Sequence, residues 1–171
     1  MNPARPKSPK VLTPRQARTL AAMADRIFPR TDTPGAVEIG ALEYIENALA
    51  GDYATLLPLY RAGLRAIDRH ARSKHGEPFA QLSPAQEDDV LLDFETGRIL
   101  GFKRAAEFFE AVRYHVLEGV FCEPHYGGNK EMTGWRLVGF PGQQFGYDDP
   151  YINKAVDLEP MAVDNQRMEG K

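Results

Sequence analysis

The residues of this sequence with the most chemical capability gather in GVFCEPHYGGNKEMTGWRLVGFPG, from Gly119 to Gly142, which holds the only cysteine and the only tryptophan. Cys122, with His125 three positions on and Glu123 between them, has the residue types of a nucleophile, its base and a further acid-base group. Neither an orienting third group nor an oxyanion hole is legible beside them, so a thiol facing a partner chain and an inert thiol are the competing readings. Gly127 and Gly128 of YGGN can aim backbone N–H groups at an anion. The same residues make a tight turn in which Asn129 takes a left-handed conformation, and the turn is the simpler reading. Trp135, with Phe140 and Pro141, offers rigid apolar area and a polar indole edge, suited to anchoring an interface or to capping its own core.

The remaining histidines suggest less. A di-iron carboxylate bundle needs Glu-x-x-His pairs projecting from two helices, whereas His115 and Glu118 stand in reverse order on one. They read as a pair on a helix surface. His70 and His75, in DRHARSKHG, read as solvated residues near a helix C-terminus. A single cysteine excludes an internal disulfide, a zinc site built on several thiolates and a CxxCH haem attachment. There is no GxGxxG and no Walker A pattern. On the residues alone, this chain carries no cofactor or metal.

The elements that must position these residues are helical. LTPRQ and LSPAQ announce helix starts by one chemistry: Thr13 and Ser83 cap, Pro14 and Pro84 fit the first helical position, and Gln16 and Gln86 reach back. The first helix continues through Leu20, Met23, Ala24 and Ile27 and stops before Pro29. After the turn chemistry of PRTDTPG a second runs through Val37, Ala41, Tyr44, Ile45 and Leu49. A third begins between Tyr53 and Leu59 and runs to about Lys74, with Gly76 closing it. A fourth covers about Pro84 to Glu95. The fifth, about Gly101 to Phe121, sets Phe102, Ala106, Phe109, Val112, Val116 and Val120 on one face and is the natural core helix. Only WRLVGF alternates as a strand would. The expected fold is therefore all-α, an irregular helical bundle of about five helices with a loop-rich C-terminal segment. The expected organisation is a flexible basic arm at 1–11, a helical domain at 12–142, and an extended or partly disordered arm at 143–171.

A chain of 171 residues can bury a core without staples. Its net charge of -3 gives no general attraction to nucleic acid, although Arg5, Lys7, Lys10, Arg15 and Arg18 make the start basic and the end is acidic. No apolar run is long enough to span a bilayer. The start MNPARPKSPK has neither an apolar signal core nor adjacent arginines, so a chain beginning here is expected to stay in the cytoplasm.

Three stretches together resemble the small subunit, subunit 3, of gluconate 2-dehydrogenase and its relatives among membrane-associated sugar and polyol dehydrogenases. They are Leu12 to Leu49, Pro78 to Leu92, and Glu118 to Gly142. The most specific part is P-x-YGGN followed by GW-x-x-x-G-F-PG: Pro124, Tyr126, Gly127, Gly128, Asn129, Gly134, Trp135, Gly139, Phe140, Pro141 and Gly142.

The resemblance implies a non-catalytic accessory chain. It implies that FAD and the acid-base residues belong to a large subunit of the glucose-methanol-choline type, and that a third, multihaem subunit carries haem c. It also implies that this chain stabilises the flavoprotein and aids its export, so that the complex is periplasmic or associated with the inner membrane. Relatives often begin with a twin-arginine signal, which MNPARPKSPKVLTP lacks. In an exported complex Cys122 can form an intersubunit disulfide. The candidate partner-binding residues are Cys122, Pro124, Tyr126, Gly127, Gly128, Asn129, Trp135, Phe140 and Pro141. Two alternatives stay open: a stand-alone small-molecule enzyme using the Cys122 to Asn129 loop, and a helical interaction module.

Overall fold

In the computed structural model, residues 10–142 and 159–162 are described. Among them are seven α-helices: α1 (Pro14–Ile27), α2 (Ala36–Ile39), α3 (Ala41–Ala50), α4 (Leu57–His75), α5 (Pro84–Glu95), α6 (Ala105–Phe121) and α7 (Thr133–Val138). The described residues contain no strand, only an isolated bridge between Gly142 and Met161. The fold is all-α, as the sequence requires. The expected arms at 1–11 and 143–171 lie outside the described residues except at 10–11 and 159–162.

Local chemistry sets the helix starts. Thr13 Oγ1 accepts from Gln16 N–H at 3.3 Å, and Gln16 Oε1 accepts from Thr13 N–H at 3.0 Å. Gln86 repeats the return bond to Ser83 N–H at 3.0 Å. The single second helix expected from the sequence is instead two, because Gly40 turns left-handed at φ 99 and its N–H closes α2 on the Ala36 and Val37 carbonyls. A side chain is strained in that conformation and a glycine is not, so the apolar period continues across a bend.

Helix α6 touches each of the other six helices, which makes it the core helix. Its buried face is Ala105, Phe108, Phe109, Val112, His115, Val116, Gly119 and Val120. Phe108 lies against Gly63 of α4, where the ring occupies the space a Cβ would need. Gly119 lies against α3: a Cβ there would sit 2.8 Å from Ala41 Cα. Two glycines thus let backbone approach more closely than packed side chains allow.

Two buried or half-buried charge clusters tie the helices together. Asp68 of α4 is 3% exposed and accepts from Arg15 Nε at 2.7 Å, Thr19 Oγ1 at 3.2 Å and Phe79 N–H at 3.3 Å. It joins α4 to α1 and to the turn Phe79–Gln81. His70 and His75 are not the solvated residues expected. They lie 2.9 Å from Asp93 and 3.0 Å from Asp89, and Lys74 bridges both carboxylates, so α4 is laced to α5. Burial alone would raise the Asp93 pKa, but the bonds from Lys74 and His70 outweigh it and hold the carboxyl below its ordinary value. No helix of the described residues is long and apolar enough to cross a membrane.

Candidate functional site

A helix leaves its last carbonyls without intrahelical partners, and the motif-rich loop meets that need at the end of α6. Cys122 turns the chain out of the helix in extended conformation, and a 3₁₀ turn at Pro124–Tyr126 leads to Gly127, left-handed at φ 101. Asn129 then returns to the helix end and is fully buried. Its N–H donates to the Gly119 carbonyl at 2.8 Å, and its Nδ2 donates to the Cys122 carbonyl at 2.8 Å. Its Oδ1 accepts from Gly134 N–H at 2.8 Å. Trp135 Nε1 donates to the Phe121 carbonyl at 2.7 Å. The Gly119 and Phe121 carbonyls of α6 and the Cys122 carbonyl of its cap are therefore satisfied by two residues of the following loop.

The glycines make this clasp possible. A Cβ on Gly128 would collide with the Gly119 carbonyl oxygen and the Cys122 sulfur, and one on Gly134 would collide with the Val120 carbonyl. The loop following Asn129 is tight enough to hold Glu131 and Met132 at φ 55 and 56, in the left-handed region that side chains disfavour. Gly134 and Trp135 open α7, the helix that the strand-like pattern of WRLVGF did not announce. Six residues are too few for a helical period to show, and α7 is fixed by Asn129 and the Trp135 indole.

The nine candidate residues divide by where they point. Gly128, Asn129 and Trp135 are buried against their own chain, Trp135 at 4% exposure. Cys122, Pro124, Gly127 and Pro141 are partly buried. Tyr126 and Phe140 are exposed, and so are Leu137 and Val138, close to Phe140 in sequence, which the sequence reading missed. Phe140 stands edge-on to Trp135 with ring centroids 5.1 Å apart, so the buried indole supports an exposed ring. Met161 is also exposed; its N–H donates to the Pro141 carbonyl at 3.1 Å, and Glu159 pairs with Arg136. The result is an apolar rim carried by a rigid clasp.

Cys122 is not an activated thiol in this setting. Burial pushes it up to about 11, and its neighbours are backbone groups of Gly119 and Gly128. At neutral pH it stays protonated and a poor nucleophile. The His125 ring packs on Tyr126 at 3.9 Å between centroids.

His115 and Glu118 do not form the expected surface pair. His115 is 3% exposed, because Val112, Val116 and Gly119 share its face. It stacks on Tyr53 at 4.6 Å and on Tyr60 at 5.8 Å, and its Nδ1 lies 2.7 Å from the Tyr60 hydroxyl. Burial lowers its pKa, so the ring is neutral at pH 7. Glu118 accepts from the Tyr44 hydroxyl at 2.8 Å and from the Tyr53 hydroxyl at 3.4 Å. It lines a cleft of about 510 Å³ between α3 and the end of α6. The i, i+3 spacing from Val112 was the signal for His115; nothing in the sequence signalled that Tyr44 and Tyr53 converge on Glu118.

Among the described residues, no three His, Cys, Asp or Glu side chains are grouped so as to hold a metal ion. No curated protein and no solved structure matches the chain. Residues 14–142, which contain all seven helices, the clasp and the rim, match the family described as gluconate 2-dehydrogenase subunit 3, and the chain belongs to that family.

Proposed function

We propose that this chain is the non-catalytic small subunit of an FAD-dependent dehydrogenase of the glucose-methanol-choline type that oxidises a sugar, polyol or other alcohol. Its task is to stabilise the large flavoprotein and to aid its export. The observation that carries this reading is family membership across residues 14–142. The exposed apolar run of Leu137, Val138 and Phe140, with Phe140 seated on the buried Trp135, supports it, because adjacent exposed apolar side chains on a fixed base are what an interface core needs. FAD belongs in this reading to the large subunit, and haem c to a third subunit that accepts the electrons. The complex is periplasmic or held peripherally at the inner membrane, with attachment supplied by the other subunits.

The mechanism is linkage. A partner that binds only the folded flavoprotein shifts its folding equilibrium by mass action, without a new covalent step. Expression of the flavoprotein with and without this chain tests the reading, scored by soluble yield, flavin absorbance and dye-linked activity. All three are expected to rise with the chain present. Equal yield, flavin content and activity in its absence would overturn the stabilising role.

A further inference from the structure

The cleft between α3 and the end of α6 has none of Leu137, Val138 and Phe140 in its walls. Its walls carry the rings of Tyr44, Tyr53 and Tyr126 and the carboxylates of Glu118 and Asp52, with no lysine, arginine or histidine among the described lining residues. Glu118 makes no ion pair with any described residue. Its two oxygens accept one phenol hydroxyl each, from Tyr44 at 2.8 Å and Tyr53 at 3.4 Å. A carboxylate has about four acceptor positions, so each oxygen keeps capacity for another donor while the phenols fix its orientation. His115, behind Tyr53, is kept neutral by burial and does not offset the charge. A fixed carboxylate in a cleft lined by aromatic rings suits a planar or alkyl cation, which gains charge-assisted hydrogen bonds at the carboxylate and contact with the surrounding rings. A neutral polyol would gain only the weaker hydrogen bonds.

We propose that this cleft is a binding site for an organic cation, an alkylguanidinium or alkylammonium group, held by Glu118 and the rings of Tyr44 and Tyr53. The site goes beyond the subunit assignment and does not depend on it.

Titration of the isotopically labelled full chain with agmatine, followed by NMR, tests the site directly, with sorbitol as the neutral comparison. Agmatine is expected to give saturable shifts at Tyr44, Tyr53 and Glu118, and sorbitol none. Glu118→Gln is expected to weaken agmatine by about tenfold or more, the loss of one charge-assisted pair. Asp52→Asn, at an exposed position that leaves the fold intact, is expected to weaken it a few fold. Absence of saturable shifts, equal shifts with sorbitol, or unchanged affinity in both variants would overturn the proposal. Addition of agmatine to the assembled flavoprotein complex separates the sources: displacement of the partner assigns the cation to a partner's side chain, and an intact complex with agmatine bound assigns a free amine. Failure of the chain to join any flavoprotein leaves the agmatine result standing, so the two readings fail independently.

Discussion

Asn129 commits its backbone N–H and both ends of its side chain to the end of α6 and the start of α7. Because the residue is fully buried, Asn129→Ala leaves the Cys122 carbonyl and the Gly134 N–H without partners and opens a small void. A loss of about 2–4 kcal/mol is expected in urea unfolding, the sum of two unsatisfied groups in a buried place. A change below about 0.5 kcal/mol would show that the clasp is dispensable. Glu87 makes a second case at this scale. Burial pushes it up to about 7 against the pull of Arg26, with Asp88 and Asp25 adding repulsion. Between its ordinary value of 4.5 and about 7, the folded state keeps a proton that the unfolded chain has released, so stability falls as pH rises through that window. Glu87→Gln is expected to remove that slope. It should raise Tm relative to the parent at pH 8 and leave it unchanged at pH 4, an effect of about 1–2 kcal/mol after allowing for its partial exposure. Parallel pH profiles for the two proteins would contradict this.

At the scale of elements, the molecule depends on how α6 is approached and how it ends. Gly119 allows α3 to come so near that an added Cβ would lie 2.8 Å from Ala41 Cα, and Gly119→Ala is expected to cost about 1–3 kcal/mol by overpacking. Glu131, exposed and held at φ 55, points the other way. Glu131→Gly should stabilise by about 1 kcal/mol in the same denaturant assay, because glycine adopts that conformation without strain. These elements also show what a sequence discloses. The starts of α1 and α5 are legible because cap, proline and returning glutamine lie within four residues of one another. The division of α2 from α3 is not legible, because Gly40 interrupts the backbone and leaves the apolar period intact. Helix α7 is hidden for a different reason: its six residues are held by Asn129 and by the contact of Trp135 with Phe121, which are tertiary facts. His115 could have been placed by its spacing from Val112, but its residue type argued for the surface.

For the whole molecule, one hydrophobic core draws on α1 to α6, and the family motif closes its end. The motif could be recognised in the sequence as a pattern. Its separation into an inward half, Gly128, Asn129 and Trp135, and an outward half, Tyr126 and Phe140, could not, because aromatic residues and glycines serve either role and only the path of the loop decides. That separation dictates how partner binding must be tested: Trp135→Ala would damage the clasp itself and Phe140 packs on that indole, whereas Leu137 and Val138 are exposed positions of the rim. The most direct measurement is co-expression of the flavoprotein with the parent chain and with the Leu137→Asp, Val138→Asp double variant, followed by size-exclusion chromatography read at protein and flavin wavelengths. The expected result is co-elution of the parent with flavin and its loss in the double variant, whose thermal unfolding matches the parent. A parent chain that elutes apart from a stable, active flavoprotein would contradict the account.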